Sequence, residues 1–306
     1  MRLCAFGLLL ALVSMRAPQP QVFRSLADAV RVDVLVTEGR RPIGGLRATD
    51  FELRDSGVAQ TIDDVQIVEV PFSMMLALDT SSSMEGRPLR DLQDAARAAI
   101  DALQPGDRAA ILSFGEAIEP LAPWGADRAA LGSAVSHLQA GGATSLFDAA
   151  LAALVARDPE SGRRHLLILF TDGTDTSSWL PDYAAWDLAL RTEVVVYCVA
   201  TEAKRMPPVG ALYRRSGIRL ALRQPVVSSI DFLQELAVRT GGEHLTTSAG
   251  GLRRTFERIV TDFRSRYVLA YTPRGVAASG WHPIDVRVKG RSVKVTARRG
   301  YERGPR

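Results

Sequence analysis

Hydrophobic residues alternate with polar ones near both ends of the chain and follow a different pattern between them. Near the N-terminus, four valines from Val30 to Val36 occupy every second position, which predicts a half-buried β-strand. The turn residues Asp55-Ser56-Gly57 then separate two strand-like runs, as in a hairpin. The predicted strands of this part cover residues 30–37, 51–54, 58–62 and 65–70. Together they form a β unit that is small for a domain of its own.

From Phe72 the pattern changes. Short apolar runs predict strands that are buried on both faces, and they alternate with segments of helical period. The predicted strands cover residues 74–78, 108–114, 118–124, 166–170, 194–200 and 243–245. The predicted helices cover residues 88–103, 127–138, 146–156, 183–190, 232–239 and 252–264. This alternation indicates an α/β fold, a doubly wound and mostly parallel sheet with helices on both faces.

The C-terminal part is strand-like again. Predicted strands cover residues 267–271, 284–288 and 293–297, and Lys289-Gly290-Arg291 makes the turn between the last two. Because chain ends often lie close together, we expect both ends of the chain to join in one small β-sandwich or sheet. The predicted units are a signal peptide at 1–20, an N-terminal β unit at 22–71, the α/β domain at 72–265 and a C-terminal β segment at 266–306 that packs with the N-terminal unit.

The first residues predict export. Arg2 precedes an apolar run from Cys4 to Val13, which is too short to span a bilayer and suits a secretory signal. The sequence around Ala17 is a poor cleavage site, since Met15 lies two residues before it and Pro18 follows it. An uncleaved signal and a wrongly placed start are therefore the alternatives. We expect a periplasmic or secreted protein, and we find no other stretch that could be a transmembrane segment.

Composition narrows the function only a little. The 306 residues carry a formal net charge of +4, which is small for this length and favours neither nucleic acid nor a membrane surface as the partner. Cys198 is the one cysteine outside the predicted signal, so a disulfide framework and a cysteine metal site are excluded. It lies in a β-branched apolar run and is expected to be a buried small hydrophobic residue.

Three short segments, far apart in sequence, carry oxygen-bearing side chains before helix-like stretches. The candidate residues are Asp79, Ser81, Ser83, Thr144 and Asp172. Each residue alone would be interpreted as a helix cap. Jointly, at the ends of strands in one sheet, their hydroxyl and carboxylate oxygens suit a hard divalent cation such as Mg²⁺. The sequence therefore predicts a metal site.

This set, Asp-x-Ser-x-Ser followed by Thr144 and then by Asp172 in Thr-Asp-Gly, resembles the metal-ion-dependent adhesion site of von Willebrand factor type A domains. The similarity covers residues 72–265. The flanking segments are similar to those of bacterial von Willebrand A-related proteins common in acidobacteria. These segments are Val32-Asp33-Val34-Leu35-Val36, Asp50-Phe51-Glu52-Leu53-Arg54-Asp55, Tyr267-Val268-Leu269-Ala270-Tyr271 and Arg299-Gly300-Tyr301.

The resemblance implies a role for each residue. Ser81 and Ser83 would bind the metal directly, and Thr144 would do so when a partner is bound. Asp79 and Asp172 would hold the site at close range or through waters. Mg²⁺ is the implied cation, with Mn²⁺ or Ca²⁺ as alternatives. Its open position would accept a glutamate or aspartate from a partner protein.

Residues 201–229 form a long, basic connection after the strand at 194–200. If that strand is parallel to its neighbours, the connection lies on the face of the predicted metal site. Arg214, Arg215 and Arg219 could then steer an acidic partner. The alternative is a solvated, variable loop.

Several enzyme classes do not fit. Aspartyl-phosphate phosphatases have an Asp-x-Asp motif, with a second carboxylate two residues after the first. Here Ser81 stands two residues after Asp79. A serine hydrolase needs a positioned histidine, and all four histidines are isolated in sequence and expected at the surface or packed. These are His137, His165, His244 and His282. No glycine-rich nucleotide loop is present.

The leading hypothesis is a non-enzymatic, metal-dependent protein-binding module of the bacterial envelope or exterior, for adhesion or scaffolding. Two other hypotheses stay open. One is a structural envelope protein whose metal only stabilises the fold, and the other is a metal-dependent hydrolase or chelatase-type accessory. No general base stands beside the site in sequence, which disfavours the enzyme.

Overall fold

The computed structural model describes residues 29–67, 71–160, 162–201 and 228–304. The predicted signal peptide, the strand-like residues 68–70 and nearly all of the basic connection at 201–229 lie outside this part of the chain. The β-strands are β1 (Val30–Glu38), β2 (Arg41–Pro42), β3 (Phe51–Asp55), β4 (Val58–Gln60), β5 (Asp64–Ile67), β6 (Phe72–Asp79), β7 (Arg108–Phe114), β8 (Ile118–Ala122), β9 (Arg164–Thr171), β10 (Val194–Thr201), β11 (His244–Thr247), β12 (Tyr267–Tyr271), β13 (Gly280–Val288), β14 (Lys294–Thr296) and β15 (Gly300–Arg303). The α-helices are α1 (Arg87–Asp101), α2 (Arg128–Ser136), α3 (Leu146–Val155), α4 (Asp182–Leu190), α5 (Ser229–Thr240) and α6 (Leu252–Arg264).

A six-stranded sheet forms the centre of the molecule, in the order β11-β10-β9-β6-β7-β8. All neighbours in it are parallel except β7 and β8, which pair antiparallel at one edge. Every residue of β6 is buried, because helices cover the sheet on both sides and leave no face to water. The predicted α/β class is therefore confirmed.

Of the described helices, three pack on each face of this sheet. On one face α1, α2 and α6 contact the apolar residues of the strands, and on the other face α3, α4 and α5 do so. Cys198 lies in the second of these cores and is fully buried, so burial raises the pKa of its thiol. The prediction that it is a packed hydrophobic residue is confirmed. None of the described helices is long and apolar enough to cross a membrane.

The two ends of the chain build a β-sandwich together. In one layer β1 pairs with β12 and β14, and β12 also pairs with β5. In the other layer β13 lies between β3 and β15, and β3 pairs with β4. Alternate side chains of both layers, including Val32, Val34 and Val36, fill one shared core. The predicted joining of the two ends is thus confirmed, while the division of the chain at 71/72 and 265/266 stays a prediction.

The turn at Lys289-Gly290-Arg291 behaves differently from a hairpin turn. It follows β13 as expected, but β13 and β14 belong to different layers of the sandwich. The turn therefore carries the chain from one sheet to the other. Alternation of side chains cannot distinguish these two cases, because both require one buried face.

Buried Asp55 connects four parts of the sandwich. Its Oδ2 accepts hydrogen bonds of 2.9 Å from the hydroxyls of Tyr271 and Tyr301, and its Oδ1 lies 2.9 Å from His282 Nδ1 and accepts a bond from Ser56. Burial acts to raise the pKa of Asp55, but the bonds from His282, Tyr271 and Tyr301 outweigh it, and the pKa is lowered. His282 is fully buried, so the expectation that it is at the surface or packed is confirmed. Its partner Asp55 lies 227 residues earlier in the sequence.

The C-terminal motif Arg299-Gly300-Tyr301 closes this network. A Cβ atom on Gly300 would lie 2.4 Å from the carbonyl oxygen of His282 and 2.5 Å from the Trp281 ring. Only glycine lets β15 approach β13 this closely. The approach brings Tyr301 onto Asp55 and stacks its ring on His282, with ring centroids 4.9 Å apart. The strand β15 was not predicted, since it is only four residues long and two of them are charged.

The sandwich is attached at the end of the central sheet where β9 begins. The guanidinium of Arg164, the first residue of β9, binds the Asp33 carboxylate of β1 with its Nε at 2.7 Å. Arg266 is 1% exposed and donates to the Tyr197 hydroxyl at 3.0 Å and to the Gly241 carbonyl at 2.6 Å. Buried arginines with these partners fix the sandwich against the α/β domain.

We expect Tyr301→Phe to lower the free energy of unfolding by about 1.5–3 kcal/mol, because a buried carboxylate loses one of its hydrogen-bond donors. Tyr183, which is 51% exposed, provides the matched control, and Tyr183→Phe should change stability by less than about 0.5 kcal/mol. Urea unfolding followed by circular dichroism measures both. Equal stabilities of the two variants would contradict the role given to Asp55.

Candidate metal centre

The predicted site residues lie where the order of strands in the central sheet reverses. From β6 the chain continues to β7 on one side, while β9 lies on the other side. Open α/β sheets bind their ligands outside the carboxyl ends of the strands at such a point. Asp79 is the last residue of β6, and Asp172 directly follows β9. Both carboxylates therefore flank the crevice.

Asp79 is fully buried. Its Oδ1 accepts the backbone N–H of Ser81 at 2.8 Å, and its Oδ2 accepts the hydroxyl of Thr171 at 2.6 Å. Burial raises the pKa of Asp79 although these bonds act to lower it, and the nearby charge of Asp172 adds to the rise. The carboxylate is thus fixed in position, but no cationic side chain of the described residues compensates its charge.

The other oxygens form a short chain beside Asp79. The hydroxyls of Ser81 and Ser83 lie 3.1 Å apart, and Ser83 donates to Asp172 Oδ1 at 2.6 Å. Ser81 precedes a 3₁₀ turn at Ser82–Met84, which brings the two serines of Asp-x-Ser-x-Ser onto one side. The first and third predicted segments are therefore in direct contact.

Thr144 belongs to the second segment and is 6% exposed. A Cβ atom on Gly173 would lie 3.9 Å from Thr144 Oγ1 and 4.0 Å from Ser83 Oγ. Both hydroxyls therefore face Gly173, the residue after Asp172. All five predicted residues are gathered at one place.

Asp175 also holds the site together, and the sequence did not predict its role. Its Oδ1 accepts the N–H of Leu146 at 2.8 Å and the hydroxyl of Ser178 at 2.5 Å, so it caps the start of α3. Thr176 adds a second link, since its hydroxyl accepts the N–H of Thr144 at 2.8 Å and its own N–H binds the Thr144 carbonyl. These bonds hold the loop after Asp172 against the segment of Thr144. A helix cap that comes from a distant loop cannot be predicted from the residues next to the helix.

Gly142 connects the first and second segments. Its carbonyl accepts the N–H of Ser82 at 3.1 Å and the Ser82 hydroxyl at 2.9 Å. Its φ of +75° lies in the left-handed region, and a Cβ atom would lie 2.8 Å from Cβ of Glu116. A side chain is therefore disfavoured by the backbone and by the space. Gly142 therefore lets the second segment approach Ser82 closely.

The donor set fits a hard cation. A hydroxyl has one hydrogen and two lone pairs, so Ser83 can donate to Asp172 and still offer a lone pair to a metal ion. The described residues contain no group of three or more histidine, cysteine or acidic side chains that could hold a metal. The oxygens of the five residues are three hydroxyls and two carboxylates, which are ligands that ions such as Mg²⁺ prefer.

The basic residues Arg214, Arg215 and Arg219 lie outside the described part of the chain. The strand before them, β10, is parallel to β9, so its carboxyl end lies on the same edge as the five residues. A position of the loop on this edge requires a parallel strand before it, and β10 is parallel. The contact of these arginines with a partner stays a proposal.

Sequence comparisons match one part of the chain to a known family. Residues 74–174 match the sequence model of the von Willebrand factor type A domain. A search of curated protein sequences found no match. The matched range contains all five of the predicted metal residues.

Solved structures share the fold at low sequence identity. A von Willebrand factor type A protein from Catenulispora acidiphila is 15% identical, with a TM-score of 0.52 over 88% of this chain and 71% of that chain. The vWF domain of the type V pili tip protein Mfa5 from Porphyromonas gingivalis is 13% identical, with a TM-score of 0.51 over 69% of this chain and 99% of its own. Proximal thread matrix protein 1 from the mussel byssus, solved with a zinc-occupied MIDAS motif, is 16% identical, with a TM-score of 0.51 over 68% of this chain and 49% of its own.

We expect Gly142→Ala to destabilise the protein by about 1–2 kcal/mol, because alanine is strained at positive φ and its methyl group meets Glu116. Gly132 in α2 provides the control, since a Cβ atom there meets nothing within 4 Å. Gly132→Ala should be neutral or stabilise by about 0.5–1 kcal/mol. Thermal and urea unfolding of both variants measure the difference, and a neutral Gly142→Ala would contradict the constraint.

Proposed function

We propose, from the von Willebrand factor type A domain that this chain contains, that the protein is a non-enzymatic binding module that docks a partner protein through a divalent metal ion. The observation that supports this most is the continuous set of oxygens from Ser81 through Ser83 to Asp172, beside the buried carboxylate of Asp79. Hydrogen bonds hold these oxygens together at the carboxyl ends of the parallel strands.

The proposed ligands are the five residues of the predicted set. Ser81 and Ser83 would bind the ion directly, and Thr144 would join them when the partner is bound. Asp79 and Asp172 would act at close range or through waters, since each already accepts a hydrogen bond from a hydroxyl. Mg²⁺ is the proposed ion, because it keeps waters and accepts few protein ligands. Mn²⁺ and Ca²⁺ have the same preference for oxygen.

The ion would supply a positive charge with an unfilled coordination position. Neutral hydroxyl ligands leave that charge largely available to an incoming group, so a glutamate or aspartate of the partner is the proposed completing ligand. The chain itself contributes the positioning. Thr171, Thr176 and Asp175 fix the three loops, so that the oxygens need little rearrangement on binding.

An enzymatic role is the weaker candidate. The hydrogen bonds of the five side chains go to each other, to Thr171 or to backbone, and none goes to a histidine, cysteine or lysine of the described residues. A hydrolase would need a general base within reach of the attacking water. The His282–Asp55 pair is such a group chemically, but it is buried inside the sandwich.

The surface beside the site favours a protein as the partner. The loop that begins with Asp172 presents Trp179, which is 95% exposed, and next to it Leu180 and Tyr183 are 43% and 51% exposed. Asp148 at the start of α3 holds this loop by accepting the N–H groups of Trp179 and Leu180, both at 2.9 Å. Tryptophan is enriched among the residues that contribute most to protein–protein binding, so an exposed tryptophan on a fixed backbone supports a protein partner.

We also propose that the module works outside the cytoplasm, in the periplasm or as a secreted protein. The apolar run from Cys4 to Val13 behind Arg2 supports this. An envelope protein that uses the metal only for stability is the remaining alternative. It differs from the leading proposal in needing no partner on the metal face.

Metal binding is tested by unfolding the protein at increasing Mg²⁺ concentrations. An ion that binds only the folded state stabilises it by about 2.7 kcal/mol at 100 times its Kd. We expect Asp172→Ala to weaken the apparent Mg²⁺ affinity by about 10- to 100-fold, while Asp187→Ala, on an exposed position of α4, leaves it unchanged. Absence of any Mg²⁺ effect on the wild-type protein would refute the metal site.

Partner binding is tested by affinity capture from an envelope fraction with the immobilised full chain. We expect a partner that is retained in Mg²⁺ and released by EDTA. It should be lost with Asp79→Ala in a preparation shown to be folded, and kept with Asp187→Ala. A partner that stays bound in EDTA contradicts docking through the metal. Metal stabilisation without any captured partner supports the purely structural alternative.

A further inference from the structure

A cleft of about 430 Å³ adjoins the metal site on the side of the edge strand β8. Its walls are the end of β7, the strand β8 with the turn between them, and the segment that follows α2. The residues that define its chemistry are Ser113, Glu116, Glu119, Leu121, His137 and Leu138. This volume is within the range of small-ligand sites in proteins, and it is large enough to take a long side chain.

The cleft is negatively charged on a chain that is positive overall. Glu116 and Glu119 line it, both are exposed, and neither forms an ion pair with a described residue. No lysine or arginine is among the described residues that line it, although the sequence contains 38 of them against 34 acidic residues. Within the described part of the chain, no cationic side chain neutralises the two carboxylates.

The hydroxyl of a mostly buried residue also lines the cleft. Ser113 is 6% exposed, and its hydroxyl makes no hydrogen bond with any residue that the structure describes. A hydroxyl can both donate and accept, so this group can bond a polar group that enters the cleft. The side chains of Leu121 and Leu138 add an apolar wall.

The cleft and the metal site share their boundary. Thr80 lines the cleft and lies between Asp79 and Ser81 in the chain. Gly142 lines it as well. Its carbonyl is bonded to Ser82, and a Cβ atom added to it would lie 2.8 Å from Cβ of Glu116. One partner segment can therefore reach both places within a few residues.

We propose that this cleft accepts an arginine or lysine side chain of the same partner whose acidic residue completes the metal, an inference that rests on the proposed function. The aliphatic stem would lie on Leu121 and Leu138, the cationic head would bind Glu116 and Glu119, and a donor N–H would reach the Ser113 hydroxyl. The partner is then a protein segment with an acidic and a basic residue close together. The basic residue of the partner is specified by its charge complementarity with the two glutamates.

The first experiment tests the cleft without the metal. N-acetyl-arginine amide and its neutral isostere N-acetyl-citrulline amide are titrated into the ¹⁵N-labelled full chain in EDTA, and amide chemical shifts are recorded by NMR. We expect the arginine probe alone to shift the amides of Gly115, Glu116 and Gly142. The double variant Glu116→Gln/Glu119→Gln should weaken its binding by about tenfold, and added salt should weaken it further.

The matched control removes the same charge elsewhere. Glu38 and Glu302 lie on the sandwich and form no ion pair among the described residues, so Glu38→Gln/Glu302→Gln should leave the arginine affinity unchanged. Equal shifts from arginine and citrulline, or equal losses in the two double variants, would overturn the cleft proposal.

The second experiment separates this proposal from the proposed function. The partner captured in Mg²⁺ is titrated against Glu116→Gln/Glu119→Gln and against the control double variant. A selective loss of about tenfold with Mg²⁺ dependence intact supports the cleft, and an unchanged affinity overturns it while the metal site stands. If the arginine probe binds the cleft but no partner depends on Mg²⁺, the proposed function fails and the basic-residue site stands alone.

Discussion

The antiparallel pairing of β1 with β12 is the interaction on which the arrangement of this molecule depends. It joins a strand that precedes the α/β domain to a strand that follows it, and β5 pairs with β12 from the other side. The first and last parts of the domain must therefore lie side by side, and the rings of Phe72 and Phe263 are in contact there, with centroids 5.0 Å apart. Because this junction occupies the end where β9 begins, the carboxyl ends of the parallel strands remain open for the candidate metal centre.

The candidate centre is organised by hydrogen bonds and not by ion pairs. The oxygens of Asp79 are held by Ser81 and Thr171, and the loop after Asp172 is held by Asp175 and Thr176 at the start of α3. Such bonds are directional, so they fix the positions of the oxygens without neutralising their charge. That combination suits a site which has to receive a cation and still leave it attractive to a further ligand.

The sequence predicted the elements that bury a regular apolar face. The runs that became β6, β9 and β10 are continuous and apolar, and the alternating valines of β1 revealed the half-buried sandwich. The five oxygen-bearing residues were predictable because each lies at the end of a strand or just before a helix. Their convergence then follows from the parallel order of the strands.

What the sequence could not predict depends on contacts between distant residues. The partnership of His282 with Asp55, the cap that Asp175 gives to α3, and the placement of β13 and β14 in separate layers have no local periodicity. The strand β15 is short and polar, and it is recognised only through the close approach at Gly300. The cleft beside the metal site likewise arises from residues on β7, β8 and the segment after α2, which come together only in the fold.

The shared sandwich also has a mechanical consequence. The α/β domain enters and leaves through β5 and β12, and these two strands are bonded to each other. A pulling force applied between residues 29 and 304 therefore runs through the strand pairs of the sandwich and does not cross the central sheet. The strands β6 to β11 carry no load until the pairing of β5 with β12 breaks. A ligand held at the far edge of the sheet would be presented by a domain that is shielded from tension along its own chain.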